Sequence, residues 1–245
     1  MSPLHACAPR SALDWLAVPP KRMSLLPSSV RRMTPARVRD DPRLRAAAVG
    51  LGLIPPRTMH TAAEAQLLEK LARGRTCVVE IGVYEGSSAL VLLDALAAGA
   101  TLHLIDPFGH QPGALRAGWA ATERTTRRVV ARAAAAAGDR SPRVGWHIER
   151  SEETARGWRG PPVDLLFVDG DHTAAGVALD WSCWHELVAA DGHVVFHDAR
   201  SAPGSPAGIS DVIGVVDELF REDGAAGWEI VREVDRAVAV RRVAA

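Results

Sequence analysis

Two short polar segments of the sequence carry side chains that could bind a metal ion and move a proton. Asp169, Asp171 and His172 follow one apolar run, and His197 and Asp198 follow the next. Carboxylate oxygens with few imidazoles suit Mg²⁺ or Mn²⁺, so the predicted metal ligands are Asp169, Asp198 and His197. A cation held there would lower the pKa of a bound hydroxyl group. His172 titrates near neutrality, so it is the predicted base, and Asp169 beside it is the second predicted catalytic residue.

The same two segments also have a purely structural interpretation. Asp171 and His172 could cap a helix that begins near Thr173, and His197 could simply pair with Asp198. The sequence leaves both interpretations open.

A third polar site lies in the stretch CVVEIGVYEGSS, which spans residues 77–88. Its apolar run predicts a buried strand, and Gly82 and Gly86 predict a tight turn before a helix. A strand, a glycine turn and a helix in this order are typical of the first unit of a Rossmann-like nucleotide-binding site. The spacing is E-x-G-x-x-x-G, whereas the dinucleotide pattern is G-x-G-x-x-G. The carboxylate of Glu80 would repel a pyrophosphate, but it suits an ammonium or sulfonium group.

Two further strand ends carry candidate binding residues. Asp106 ends the second predicted strand, where a carboxylate can accept hydrogen bonds from both hydroxyls of a ribose. It could instead cap the turn before Pro107. Ser151 follows the third predicted strand, and it either caps the next helix or contacts an adenine edge.

Alternating strands and helices must position these residues. Strands are predicted over residues 77–81, 101–105, 143–149, 164–168 and 193–196, with a closing hairpin of residues 228–234 and 237–242. Helices are predicted over residues 61–72, 87–98, 119–137, 173–190 and 208–222, with a short one after Ser151. This order predicts an α/β, Rossmann-like fold: a mostly parallel seven-stranded sheet, helices on both faces and a C-terminal antiparallel hairpin. Because ligands bind beyond the carboxyl ends of such strands, the polar residues should meet at one edge.

Composition narrows the class of protein. The chain has 29 basic and 29 acidic residues, a balance that does not indicate a nucleic-acid partner. We find no apolar run of membrane-spanning length and no secretion signal, so no membrane association is expected. The three cysteines, Cys7, Cys77 and Cys183, lie far apart, which favours free thiols in a reducing cytoplasm.

Residues 1–57 differ from the rest because they are rich in Pro and Arg. A short helix is predicted from Pro42 to about Val49, with Asp41 as its cap. This extension could be a lid, an arm in a homo-oligomer or a partly ordered tail. Residues 58–245 form the predicted main domain.

Four segments together resemble one known family: VVEIGVYEGSS, LHLIDPF, DLLFVDGDH and GHVVFHDA. Their order and spacing resemble class I S-adenosylmethionine-dependent methyltransferases. The similar branch comprises small-molecule O-methyltransferases, among them macrolide sugar O-methyltransferases, and cephalosporin hydroxylase-like proteins. The resemblance covers roughly residues 58–242. It implies a divalent metal at Asp169 and Asp198, a base at His172, and S-adenosylmethionine held by Glu80, Gly82, Tyr84, Gly86, Ser87 and Asp106. Ser151 and Asp169 complete the predicted cofactor-binding set.

The chain departs from the sugar-methylating members at His197, where they carry an acid. This difference favours a metal that accepts imidazole. The leading hypothesis is metal-assisted methylation of a hydroxyl on a small molecule, either a sugar or a secondary metabolite. Two alternatives stay open: an oxidoreductase or hydroxylase-like enzyme on the same fold, and a non-catalytic cofactor-binding partner protein.

Overall fold

A computed structural model describes residue 35 and residues 41–109, 117–202, 210–222 and 224–243. The first helix, α1 (Pro42–Gly50), begins where the sequence predicts, since the Asp41 carboxylate accepts hydrogen bonds from the N–H groups of Arg43 and Leu44. The part of the predicted extension before Asp41, which includes Cys7, lies outside the described residues except for residue 35. The second helix, α2 (Ala62–Ala72), begins with a capping box between Thr61 and Glu64.

Seven strands form one sheet in the described part of the chain: β1 (Cys77–Ile81), β2 (Thr101–Ile105), β3 (Arg143–His147), β4 (Val163–Val168), β5 (Val188–Phe196), β6 (Trp228–Val234) and β7 (Ala237–Arg242). Their order is β3-β2-β1-β4-β5-β7-β6. β7 pairs antiparallel with both its neighbours, and the other pairs are parallel. The predicted fold class is therefore confirmed. The strand order reverses at β1, and sheets of this kind bind ligands beside such a switch point.

Helices cover both faces of the sheet: α3 (Ser87–Ala95), α4 (Ala117–Ala137), α5 (Ser151–Arg156), α6 (Ala174–Trp184) and α7 (Ser210–Asp217). Successive strand residues point to opposite faces, so Val78 joins an apolar cluster with α2 and α3, while Val79 joins one with α6 and α7. Each face of the sheet is thus buried. Within the described ranges, no helix combines the length and the apolar character needed to cross a bilayer.

Several predicted boundaries are wrong. The strand predicted over 143–149 ends at His147, and the strand predicted over 193–196 begins at Val188. The helix predicted over 173–190 ends at Trp184, and a short 3-10 turn leads into β5 at Val188. Val188 pairs with Val163 of β4, so sheet pairing overrides the local helical pattern of this apolar run. The helix predicted over 87–98 ends at Ala95, because Leu96 turns to an extended conformation and buries its side chain.

Candidate active site

The glycine turn after β1 packs directly against the end of β4. Gly82 has φ +86°, and a Cβ atom there would lie 2.1 Å from the carbonyl oxygen of Asp169. Only glycine fits this position, because a side chain would meet both backbone strain and a clash. The turn thereby brings the ends of β1 and β4 together.

Asp106, at the end of β2, holds the glycine turn in place. Its Oδ2 accepts hydrogen bonds from the N–H groups of Val83 (2.9 Å) and Tyr84 (2.8 Å), and its Oδ1 accepts one from Phe108 (2.7 Å). Burial raises the pKa of Asp106, although these hydrogen bonds oppose the increase. A carboxylate has about four acceptor positions. Three are occupied here, which leaves one for a ligand rather than the two needed for both ribose hydroxyls.

Glu80 is fully buried behind the turn. The Ser88 hydroxyl donates to its Oε1, whereas its Oε2 has no hydrogen-bond partner among the described residues. Burial raises the pKa of Glu80 well above its usual range, the Ser88 hydrogen bond opposes the increase, and the acids Asp169 and Asp106 add to it. A buried, unpartnered carboxylate oxygen near two other acids suits a site that binds a cationic ligand.

Asp169, His172 and Asp198 meet at the carboxyl ends of β4 and β5. Each offers one ligand atom, and the three atoms lie within 4.8 Å of one another. His172 Nε2 is 3.2 Å from Asp169 Oδ1, and His172 Nδ1 is 3.6 Å from Asp198 Oδ2. The two carboxylates at this spacing fit a divalent cation whose remaining ligands are water or substrate oxygens, and the His172 imidazole lies beside them.

His197 lies behind this cluster, and only 3% of it is exposed. Its Nδ1 is 2.9 Å from Asp169 Oδ1, and its Nε2 is 3.4 Å from Glu64 Oε2. Burial opposes protonation, but the two carboxylates outweigh burial and raise the pKa of His197 to about 10. The structure therefore places both ring nitrogens of this predicted metal ligand against carboxylates.

Glu64 of α2 and Arg236 of the β6–β7 turn support the cluster from outside. Glu64 is 1% exposed, and its Oε1 accepts a hydrogen bond from the Arg236 N–H at 2.8 Å. Burial would raise the pKa of Glu64, but hydrogen bonds from His197, Thr61 and Arg236 lower it to about 2. The Arg236 guanidinium donates to Asp198 Oδ1. The sequence marks Glu64 only as a helix cap and gives no signal for Arg236.

Charge in the cluster nearly balances. Glu64, Asp169 and Asp198 contribute three negative charges, and Arg236 and the His197 imidazolium contribute two positive ones. One negative charge is therefore left for His172 or a bound cation to neutralise. Burial would raise the pKa of Asp169, but hydrogen bonds from His172 and His197 outweigh it and lower that pKa. The hydrogen bond to Asp169 is also the main cause of the raised pKa of His172, although burial opposes it.

Ser151 and Asp180 form a second polar pair. Ser151 is the first residue of α5 and not its cap, since the N-cap is Arg150. Its hydroxyl donates instead to Asp180 Oδ1, on α6. Burial raises the pKa of Asp180 to about 6. Asp180 is a buried acid that the sequence analysis missed.

One cavity of about 470 Å³ is lined by residues of the glycine turn, of the acidic cluster and of the Ser151–Asp180 pair. Of the predicted site residues, the cavity lining includes Gly82, Tyr84, Asp106, Ser151, Asp169, His172, His197 and Asp198. Glu80, Gly86 and Ser87 are not part of the lining: Glu80 lies behind the turn, while Gly86 and Ser87 begin α3. The glycine turn and the acidic cluster therefore open onto the same space.

This fold and this site define a class I S-adenosylmethionine-dependent methyltransferase. Residues 79–199 of the chain match the family model described as "Methyltransferase domain". The chain thus carries a domain of that family and is an S-adenosylmethionine-dependent methyltransferase, as the sequence resemblance implies.

Solved structures with the same fold include several methyltransferases. The O-methyltransferase TomG from Streptomyces achromogenes, involved in tomaymycin synthesis and in complex with S-adenosylmethionine, is 20% identical, with a TM-score of 0.54 over 84% of this chain and 91% of that chain. An O-methyltransferase from Bacillus cereus in complex with S-adenosylhomocysteine is 14% identical, with a TM-score of 0.51 over 88% and 95%. A protein from Corynebacterium glutamicum is 20% identical, with a TM-score of 0.57 over 89% and 95%.

Proposed function

We propose that this enzyme transfers the methyl group of S-adenosylmethionine to a hydroxyl oxygen of a small molecule, with a divalent cation at the acceptor site. The observation that carries the proposal is the Asp169–His172–Asp198 cluster, whose ligand atoms lie within 4.8 Å of one another in the cavity that the glycine turn also lines. The O-methyltransferases among the structural neighbours support the same reaction type.

In the proposed cofactor site, Gly82 and Tyr84 line the cavity, and Asp106 offers its remaining acceptor position to one ribose hydroxyl. Glu80 acts from behind the turn: a cationic ligand bound nearby would favour the ionised form of this carboxyl group, and the resulting negative charge would attract the cationic end of the cofactor. We assign Ser151 and Asp180, which line the same cavity, the role of hydrogen-bond acceptors for an amino group of the adenine.

In the proposed acceptor site, Asp169 and Asp198 hold the cation, which when bound would lower the pKa of a nearby hydroxyl. His197 and Arg236 orient the two carboxylates, so His197 is assigned a positioning role instead of direct ligation. His172 receives the hydroxyl proton. The oxygen then attacks the methyl carbon while the carbon–sulfur bond breaks and its electron pair stays on sulfur. Positioning and exclusion of water supply most of the rate.

The first experiment identifies the cofactor. We expect titration calorimetry with S-adenosylhomocysteine to give one site per chain and titration with NAD to give no heat. Heat from NAD alone would favour the oxidoreductase alternative. Binding of S-adenosylhomocysteine without methylation of any hydroxylated compound would favour the non-catalytic one.

The second experiment tests the acidic cluster with Asp169→Asn, using labelled S-adenosylmethionine and a panel of sugars and phenols. We expect kcat to fall about 100-fold or more, the scale of a lost acid–base or metal contribution, while S-adenosylhomocysteine still binds. Asp171→Asn is the matched control, because Asp171 lines the same cavity but its Oδ1 only caps the Thr173 N–H. Equal activity in the two variants would refute the assignment.

The metal is tested separately by removing divalent ions with a chelator and adding back Mg²⁺ or Mn²⁺. We expect activity to be lost and then restored. Full activity in the chelator would limit the proposal to metal-independent transfer by the same residues. We also propose, from the sequence alone, a cytoplasmic enzyme of secondary metabolism with no nucleic-acid or membrane partner.

A further inference from the structure

Residues 41–57 form hydrogen bonds with the glycine turn of the proposed cofactor site. Arg45 of α1 donates two hydrogen bonds to Glu85, from Nε to Oε1 and from Nη2 to Oε2, each 2.7 Å long. The backbone N–H of Arg57 donates to the same Glu85 Oε2 at 2.6 Å. Glu85 lies inside the turn, directly before Gly86. Arg45 and Arg57, from different parts of the segment, therefore donate hydrogen bonds to the same carboxylate of the turn, that of Glu85.

The contact between Arg45 and Glu85 is specific in geometry as well as in charge. Their side chains are only 12% and 8% exposed. Two parallel hydrogen bonds from a planar guanidinium fix the orientation of a carboxylate, which a single flexible charge would not do. The position of Glu85, and with it the backbone of the turn, is thus set by α1.

Tyr84 connects this contact to the cofactor cavity. It lines the main cavity and also a smaller one of about 160 Å³, whose lining includes Pro42, Arg45 and Glu85. Its φ of 50° is unfavourable for a residue with a side chain, so its neighbours must hold it there. Asp106 holds the Tyr84 N–H on one side, and Arg45 holds the adjacent Glu85 on the other.

We propose that Arg45 is a positioning residue for S-adenosylmethionine: through Glu85 it keeps the glycine turn in the conformation that binds the cofactor. The inference rests on the proposed cofactor site at that turn. It gives residues 41–57 a role in cofactor affinity, in place of a lid or an oligomer arm.

The test compares S-adenosylhomocysteine binding by variants of two arginines, Arg45 and Arg132, in the full-length chain. Arg45 lies in α1, and Arg132 forms a hydrogen bond with the last residue of α1. Arg45 contacts Glu85 of the glycine turn, whereas Arg132 of α4 donates to the Gly50 carbonyl oxygen at the end of α1, at 2.6 Å. We expect Arg45→Ala to weaken S-adenosylhomocysteine binding about tenfold, equivalent to about 1.4 kcal/mol, the scale of one charge-assisted hydrogen bond. Arg132→Ala should stay within about twofold of the wild type.

Kinetics and rescue separate positioning from simple stability. Arg45→Ala should raise KM for S-adenosylmethionine and leave kcat at saturating cofactor unchanged. Arg45→Lys should recover part of the affinity, because lysine keeps the charge but not the two parallel hydrogen bonds.

A folded Arg45→Ala variant with wild-type affinity, or an equal loss in Arg132→Ala, would overturn the proposal. If Arg45→Ala does not fold, Glu85→Gln decides, since it keeps the shape and removes the charge, and unchanged affinity there would also overturn it. Failure of the wild type to bind S-adenosylhomocysteine would contradict the cofactor site itself, which is a different result.

Discussion

Glu64→Gln is the perturbation that tests most directly how the site is held together. In the wild type, Glu64 Oε2 faces the Thr61 N–H at 2.7 Å and His197 Nε2 at 3.4 Å, while Oε1 faces the Arg236 N–H at 2.8 Å. Donors therefore surround both oxygens. A glutamine has one acceptor oxygen and one amino group, so it cannot satisfy both sides.

The cost follows from this arrangement. Whichever way the amide is oriented, its amino group opposes a buried N–H donor, and one unsatisfied buried group costs about 1–3 kcal/mol. Removing the charge also leaves the His197 imidazolium without the carboxylate at its Nε2, so that only Asp169 and Asp198, both near its Nδ1, remain. Breaking a buried charged pair by changing one partner costs about 3–5 kcal/mol. Because glutamine keeps part of the hydrogen bonding, we expect a total loss of about 2–4 kcal/mol in the free energy of unfolding.

Urea denaturation at pH 7 measures this loss, with Glu69→Gln on the same helix as the matched control. Glu69 pairs with Arg73, whose side chain is 41% exposed, so its replacement should cost about 0.5 kcal/mol or less. If Glu64→Gln unfolds within that same small margin of the wild type, the buried network does not support the site as argued.

Two further predictions concern backbone strain and pH. Gly82→Ala should destabilise the protein by more than about 3 kcal/mol in thermal unfolding, because the new Cβ atom would clash with the Asp169 carbonyl oxygen. Gly99→Ala is the control, because a Cβ atom there meets open space. This control should cost only the strain of its positive φ, about 1–2 kcal/mol. Similar losses would contradict the close packing. Burial, Arg75 and Arg241 lower the pKa of His193 from 6.5 to about 4. The folded state thus binds this proton less readily than the unfolded chain, so stability is full above pH 6.5 and falls as the pH drops toward 4. His193→Asn should flatten that decline in urea midpoints, and an unchanged slope would refute the assignment.

The sequence predicts most of the sheet because its local signals agree with the final packing. Thr101–Ile105 and the hairpin strands Trp228–Val234 and Ala237–Arg242 match the structure to the residue. Val188 is the exception, since its apolar neighbours fit a helix and a strand equally well, and pairing with Val163 decides the outcome. That pairing is a long-range contact, which no local pattern contains.

The acidic cluster is predictable for a similar reason. Asp169, His172 and Asp198 follow strands that are neighbours in a parallel sheet, so topology alone brings them to one edge. The partners of His197 are less accessible to sequence reasoning. Its second carboxylate, Glu64, lies on a helix that precedes β1, and a capping-box pattern explains that residue without any role at the site.

Three residues that support the site, Glu64, Arg45 and Arg236, lie outside the region that matches the family. That match covers residues 79–199, which contain Glu80, Asp106, Asp169 and Asp198. Glu64 and Arg45 precede the matched region, and Arg236 follows it. Glu64 and Arg236 nevertheless form hydrogen bonds that support the acidic cluster. Arg45 forms hydrogen bonds with Glu85 of the glycine turn. Since a buried charge is stable only when its partners are in place, the matched region by itself leaves Asp198 and His197 without part of their support. The N-terminal helices and the C-terminal hairpin therefore support the residues of the candidate site, so changes at Glu64, Arg236 or Arg45 should affect the site although none of the three lies in the matched region.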